Sequence, residues 1–231
     1  MRKGLFKGIL LEVNLKNQLA LIFGSPEIHL QEILKKYVAK NSIVFDIGAN
    51  IGYVSIAMSR LVGDNGKIYS FEAIPETSNK CKRNLELNFC VNVNLTNKAL
   101  SDQSETVVFR IPDGGENHSM ASMIGHSSTK DSVEVEVESI TIDTDTRFSS
   151  LSPTFVKIDV EGAEGKVIKG MQGLIRRCNP VIFIECSKAG RNLVWEIMKK
   201  LNYSCFLAHD LSNEITDFDK YIHNDFMWLP N

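Results

Sequence analysis

Residues Ser42 to Ile47 form a short β-branched run that stops at Gly48, and Ile51, Val54, Met58 and Leu61 then recur at helical spacing. A strand that passes through glycines straight into a helix commits this part of the chain to a β-α unit, and the unit repeats. Gly63-Asp-Asn-Gly66 is a turn, Lys67 to Phe71 a second strand, Pro75 to about Asn88 a polar helix and Val91 to Ala99 a third strand. Regular β-α-β-α-β order predicts a largely parallel sheet with helices on both faces.

The rhythm changes at Glu105. Glu105 to Ile111 and Val133 to Ile142 read as strands with no helix between them, and Val133-Glu-Val-Glu-Val-Glu138 alternates strictly. Alternation means one wet face, which suits an antiparallel hairpin or a sheet edge. Between them lies the polar loop Pro112 to Ser119, with chemistry suited to an element over a site. Parallel character resumes at Thr154 to Val160, followed by a helix from about Glu161 carrying Val167, Ile168, Met171, Leu174 and Ile175 as one stripe. A strand at Val181 to Cys186, a helix at Leu193 to Leu201 and strands at Tyr203 to Ala208 and Phe226 to Leu229 complete the pattern.

Residues 1–40, with Ile28, Ile33, Leu34 and Tyr37 on a possible helix, are expected to be an appendage serving as a lid or specificity segment, and residues 41–231 the main domain. A chain of 231 residues buries a core without disulfides or structural metal. The five cysteines are odd in number and contain no C-x-x-C pair, which points to a reducing, cytoplasmic setting. The basic start of the chain is interrupted by Lys7 and Glu12 and lacks a small-residue cleavage site, so no signal peptide is expected. No apolar run reaches the 18 or so residues a spanning helix requires. A net charge of −2 gives no field to draw in phosphate backbones, so nucleic acid is not the expected partner. Oligomeric state is not legible.

The turn Asp46-Ile-Gly48-Ala-Asn50-Ile-Gly52 brings backbone, not side chains, against a ligand. Glycines permit the tight turn and the close approach, and the helix start presents N–H groups. Asp46 can accept from the amino group of an amino-acid moiety or from the loop's own amides. Glu72, at the tip of the second strand, stands where a carboxylate accepts from both hydroxyls of a ribose. A dinucleotide fingerprint reads G-x-G-x-x-G. Here Asn50 takes the second glycine's place and Tyr53 follows Gly52, which disfavours a pyrophosphate on the backbone. A sulfonium ligand without phosphates fits better, so S-adenosylmethionine is expected in preference to NAD.

These motifs give the chain a resemblance to the class I S-adenosylmethionine-dependent methyltransferases, and within them to the FkbM family, over roughly Asn41 to Asp210. Phe45-Asp-Ile-Gly-Ala-Asn-Ile-Gly52, Phe71-Glu-Ala-Ile-Pro75 and above all Phe155-Val-Lys-Ile-Asp-Val-Glu-Gly-Ala-Glu164 carry it. Asn97 to Asp102, Ile140 to Asp143 and Val181 to Glu185 are lesser echoes. The resemblance implies a Rossmann-like α/β three-layer sandwich. Its sheet would be mostly parallel and seven-stranded, ordered 3-2-1-4-5-7-6 with the last strand antiparallel, and a β-rich insertion would follow the third strand. It also implies methyl transfer, usually to a hydroxyl, on a sugar, glycan or other small-molecule acceptor. By position, Asp46, Gly48, Asn50 and Gly52 would contact the methionine part, Glu72 the ribose, and the Ala99 to Asp102 region, with Leu100 and Ser101, the adenine.

Methyl transfer asks the protein to align a nucleophile with the S–CH₃ bond and to take a proton from it. Asp159, Glu161 and Lys157 are the catalytic candidates, with Glu164 beside them; Glu161 and Glu164 could equally cap amides in a first helical turn. Asp159 and Glu185 end neighbouring strands and could share a hard metal ion, but no third ligand is evident and no metal is expected. His118 and His126 are further possible bases. An NAD(P)-dependent oxidoreductase and a non-catalytic nucleoside-binding partner protein remain the competing classes.

Overall fold

In a computed structural model the chain is described over residues 4–12, 28–112, 122–123, 132–221 and 224–231. Helix α1 (Ile28–Tyr37) precedes the first unit, β1 (Ile43–Ile47) and α2 (Tyr53–Val62). β2 (Lys67–Phe71), α3 (Pro75–Leu87) and β3 (Val93–Thr96) repeat the pattern. The irregular middle holds β4 (Ala99–Leu100), β5 (Thr106–Pro112), β6 (Ser122–Met123) and β7 (Ser132–Ile140). After it come β8 (Phe155–Asp159), α4 (Glu164–Lys169), α5 (Gln172–Cys178), β9 (Val181–Glu185) and α6 (Lys188–Lys200). β10 (Tyr203–Leu207), β11 (Asp210–Glu214) and β12 (Asp225–Pro230) finish the chain.

The main sheet is mixed and eight-stranded, in the order β11-β10-β12-β9-β8-β1-β2-β3. β3, β2, β1, β8 and β9 pair in parallel, whereas β12 is antiparallel to β9 and to β10. That is one strand more than the seven expected. β11 folds back on β10 at the sheet edge; its sequence Asp-Leu-Ser-Asn-Glu is polar and mostly exposed, so no apolar period announces it. The third strand is also shorter than Val91 to Ala99. It ends at Thr96, and Ala99–Leu100 instead pair with β7 in a second sheet ordered β4-β7-β5-β6. Within that sheet β5 and β7 form the antiparallel ladder that the valine-glutamate alternation implies.

Parallel strands are covered on both faces and must be apolar on both. β1 and β8 obey: Val44, Phe45 and Ile47, and Phe155, Val156 and Ile158, are all buried. One face packs under α4, α5 and α6 with Val167, Ile168, Met171, Leu174 and Ile175. The other packs under α1 and α2 with Leu30, Ile33, Leu34, Val54 and Met58. Phe6 and Ile9 sit against Ile56, Ala57, Cys81 and Leu85, so the described start of the chain lies on the same body. Each such side chain contributes roughly 1.5–3 kcal/mol when fully buried.

The helix expected from Glu161 begins at Glu164 and breaks into α4 and α5. The break falls at Gly170, where a Cβ would come 2.1 Å from the Ser101 carbonyl oxygen. The chain leaving β4 therefore presses on the helix at that residue. The last long helix starts at Lys188 rather than Leu193, because its first turn is polar. The loop 113–119, His118 and His126 lie outside the described residues.

Candidate active site

β1 ends in the glycine turn, and the turn is tied down on both sides. The N–H groups of Gly48 and Ala49 both donate to the Phe71 carbonyl at the end of β2, each at 2.9 Å. On the other side Gly48 lies so close to β8 that a Cβ would meet the Asp159 carbonyl oxygen at 1.7 Å. Gly48, Asn50 and Gly52 all have positive φ, of 78°, 52° and 88°. Asn50 is the non-glycine residue held in this left-handed region, a conformation asparagine tolerates better than most. Glu72, 8% exposed, spans the turn with its carboxylate: Oε2 accepts from the Asn50 N–H at 2.8 Å and Oε1 from the Ile74 N–H at 2.9 Å. Each oxygen keeps a second lone pair. Burial pushes Glu72 above the usual carboxylate range, and the two amide bonds oppose that shift.

Beneath the turn a polar row crosses the sheet. Asp46 is in register with Ser70 on β2 and with Lys157 on β8. Asp46 is wholly buried; Ser55 donates to its Oδ2 at 2.5 Å, and Ser55 and Ser70 share a hydrogen bond of 2.8 Å. Its Oδ1 makes no hydrogen bond within the described residues and faces the Lys157 ammonium at 3.6 Å. Desolvation raises the Asp46 carboxyl, while Lys157 and Ser55 pull it back. Lys157, itself buried, donates to the Gly48 carbonyl at 3.1 Å and to Asp159 Oδ2 at 3.2 Å. It links the floor of the turn to the acid at the end of β8.

The acids gather at that end. Asp159 is in register with Glu185 on β9, and Glu185 with Asp225 on β12. Glu161 and Gly162 follow Asp159 with φ of 50° and 102°, so Glu161 stands in a strained loop rather than in a helical first turn. Burial and then the neighbouring Asp159 raise its carboxyl. Glu164, in α4, is 1% exposed; Oε1 accepts from the Gly162 N–H at 2.7 Å and Oε2 is unpartnered within the described residues. Burial first, with repulsion from Asp159 and Glu161, lifts Glu164 from 4.5 to about 7. Because that value is raised, Glu164 supports the fold while neutral and loses its contribution as pH rises from 4.5 through about 7. Glu164→Gln, which keeps the acceptor for Gly162, is expected to flatten the pH dependence of stability by about 3 kcal/mol between pH 4.5 and 8. Urea unfolding at the two pH values measures it, and an unchanged slope would contradict it.

The turn, Glu72, Lys157, Asp159, Glu161 and Glu164 are thus neighbours around the carboxyl ends of β1, β2 and β8. Leu100, at the end of β4, and Ser101 after it lie along the second sheet. Both are buried, with the Ser101 N–H donating to the Ile140 carbonyl at 3.0 Å in the second sheet. Asn97 adjoins Glu72, its amide donating to the Glu72 and Ala73 carbonyls at 2.8 and 2.9 Å. Asn97 opens one of the lesser family echoes but has no role assigned from sequence, and no sequence motif announces the Ser55–Ser70 pair. The signal for the serines was small polar residues at positions where strand and helix demand burial. No three His, Cys, Asp or Glu side chains among the described residues are placed to hold a metal ion. No helix among them is long and apolar enough to cross a membrane.

The sequence model of the methyltransferase FkbM domain matches residues 46–219, from the first acid of the turn to beyond β11. The chain belongs to the FkbM family of S-adenosylmethionine-dependent methyltransferases. An FkbM methyltransferase structure from Methylobacillus flagellatus superimposes over 81% of this chain and 43% of its own, at 16% identity and TM-score 0.51. A precorrin-6y C5,15-methyltransferase from Geobacter metallireducens covers 87% and 88% at 15% identity and TM-score 0.51. A S-adenosylmethionine-dependent O-methyltransferase from Thermotoga maritima covers 94% and 70% at 11% identity and TM-score 0.51. At such identities these likenesses bear on fold. Among curated proteins, a protein-L-isoaspartate O-methyltransferase from Methanococcoides burtonii is 37% identical over 49 residues, 21% of this chain and 24% of that protein. This FkbM-family chain therefore spans less than half of the family structure and a quarter of the curated relative.

Proposed function

We propose that this chain transfers the methyl group of S-adenosylmethionine to a hydroxyl of a small-molecule or glycan acceptor. The observation that supports the reading is the close approach of the glycine turn to the Asp159 backbone, with Lys157 bridging the Gly48 carbonyl and the Asp159 carboxylate at one end of the sheet. The residues suit the donor: two clustered acids beside the turn match a cationic ligand, and Glu72 has lone pairs left for a diol. S-adenosylmethionine supplies an activated methyl group on a sulfonium.

Gly48, Asn50 and Gly52 cradle the methionine part, Glu72 takes the ribose hydroxyls, and the Leu100–Ser101 segment closes the adenine side. Asp46 acts from below, through Ser55 and Lys157, and Lys157 is a positioning residue that holds Asp159 and the Gly48 carbonyl rather than touching the acceptor. Asp159 orients the acceptor hydroxyl and receives its proton as the new O–CH₃ bond forms and the C–S bond breaks, with the sulfur keeping the electron pair. Glu161, on its strained loop, is assigned to the acceptor side. Residues 1–40 and the β5–β7 insertion shape acceptor choice.

A pair of variants separates binding from chemistry. Asp159→Asn is expected to bind S-adenosylhomocysteine within about threefold of wild type and to lose about 10²-fold in turnover, the lower range for a general base. Glu72→Ala is expected to weaken the same binding by at least tenfold, equivalent to about 1.4 kcal/mol. Calorimetric titration and methyl-transfer assays read the two effects; full turnover in the Asp159 variant would remove that residue from the chemistry.

A further inference from the structure

The two edges of the main sheet meet solvent differently. At one edge β11 carries Asp210 and Glu214, charges of the kind that keep a further strand from pairing. At the other, β3 reads Val-Asn-Leu-Thr, with no charged residue, proline or break in register. Its ladder to β2 uses the even positions: the Asn92 and Thr96 carbonyls accept from the Ile68 and Glu72 N–H groups at 3.0 and 3.1 Å. By alternation the N–H and carbonyl of Val93 and Leu95 point away from the sheet. The Val93 N–H is turned to the Cys90 carbonyl at 3.5 Å. Leu95 is therefore where β3 offers a donor and an acceptor together.

Beside this edge lies a groove of about 660 Å³ between β3 and the outer face of α3, lined by Leu95 from the strand and by Lys82 and Glu86 from the helix. Phe89 and Val91, in the link between the two elements, also line it and are 88% and 93% exposed. Phe89 holds φ at 55°, an outlying conformation for so bulky a residue. Large apolar side chains gathered in water beside an unguarded strand mark an interaction surface.

The charges on α3 specify the occupant. Glu76 and Lys80 pair on this helix at 3.1 Å, whereas Lys82 and Glu86, also one turn apart and both exposed, form no ion pair among the described residues. A two-fold axis that sets β3 antiparallel to its copy also runs the two α3 helices antiparallel, on one face of the joined sheet. Lys82 of each copy then faces Glu86 of the other, so a second copy supplies the complementary charges by symmetry. We infer that two copies of the chain join through antiparallel pairing of β3 at Leu95, with reciprocal Lys82–Glu86 ion pairs and Phe89 buried against the second α3. Asn97, at the end of the groove, holds the Glu72 and Ala73 carbonyls, so the interface reaches the segment that carries Glu72. The pairing does not depend on which reaction the site performs.

Sedimentation velocity of the full chain across micromolar concentrations tests the inference, and a dimer is expected. Lys82→Glu and Glu86→Lys each turn both reciprocal pairs into like-charge pairs and are expected to raise the dissociation constant about tenfold or more. Mixing the two variants restores both pairs, since one chain brings two acids and the other two cations. The mixture is expected to dimerise within about threefold of the unmodified chain, and that recovery also shows each variant to be folded. Leu95→Pro removes the outward N–H but no hydrogen bond to β2, and is expected to abolish the dimer in a chain whose circular dichroism is unchanged. A chain that stays monomeric, a dimer indifferent to both charge reversals, a mixture that fails to recover, or a folded Leu95→Pro chain that still dimerises would each overturn the inference.

Discussion

Gly48→Ala is expected to cost about 3–5 kcal/mol of stability and to abolish measurable S-adenosylhomocysteine binding, because the new methyl has nowhere to go. It would lie 1.7 Å from the Asp159 carbonyl oxygen and 2.8 Å from its carbonyl carbon, both backbone atoms of a central strand. Relief requires β1 and β8 to separate, which breaks the Lys157 bond to the Gly48 carbonyl and moves Asp159 away from the turn. Backbone strain contributes as well, since φ at Gly48 is 78°. Gly63→Ala isolates that contribution: φ there is 71°, but no heavy atom lies within 4 Å of the added methyl. The Gly63 variant is therefore expected to lose about 1–3 kcal/mol, the conformational cost alone of a backbone at φ 71° and ψ −174°, and to keep ligand binding. Urea unfolding of both, with ligand titration, checks the contrast; similar losses in the two would show that the approach to Asp159 is not what the glycine serves.

Lys157→Met is expected to be the most damaging change at the floor of the site. Methionine preserves most of the volume but removes the cation facing Asp46, which is 0% exposed. Breaking a buried pair from one side typically costs about 3–5 kcal/mol, because the remaining charge is left in the interior. Asp46 would then be pushed further above its ordinary range, so the fold would prefer it neutral. A carboxyl raised in this way supports stability at low pH and withdraws it as pH rises, so the deficit should be larger at pH 8 than at pH 5. Asp46→Asn in the same chain should restore part of the loss, since an amide keeps the Ser55 contact without the charge. Chemical denaturation of the two single variants and the double variant forms the cycle. Additive losses would mean that the two side chains do not depend on each other.

The β-α units were legible because their apolar runs and helical stripes are long and unbroken, as in Val44–Ile47 and Val54–Met58. The glycine turn and its two acids were legible because few other arrangements need glycines at that spacing before a helix. What sequence could not show depends on contacts between distant segments. The break in the helix after β8 comes from Ser101 pressing on Gly170, 69 positions away in the chain. The strained backbone at Glu161 is imposed by the loop that delivers Glu164 into the interior. The register of β8 against β1, which no local pattern reveals, is what sets Lys157 beside Asp46. Edge strand β11 has no apolar face to leave a period in the sequence.

Thermal unfolding in the presence of S-adenosylmethionine, S-adenosylhomocysteine, NAD and NADP, each at about 100 times its dissociation constant, tests the assignment of the turn most directly. A ligand bound only by the folded chain adds about 2.7 kcal/mol under those conditions, a shift of roughly 5–10 °C for a chain of this size. The expected result is a shift with the first two ligands and none with the nucleotides. A shift with NAD or NADP alone, or no shift with any of the four, would contradict it.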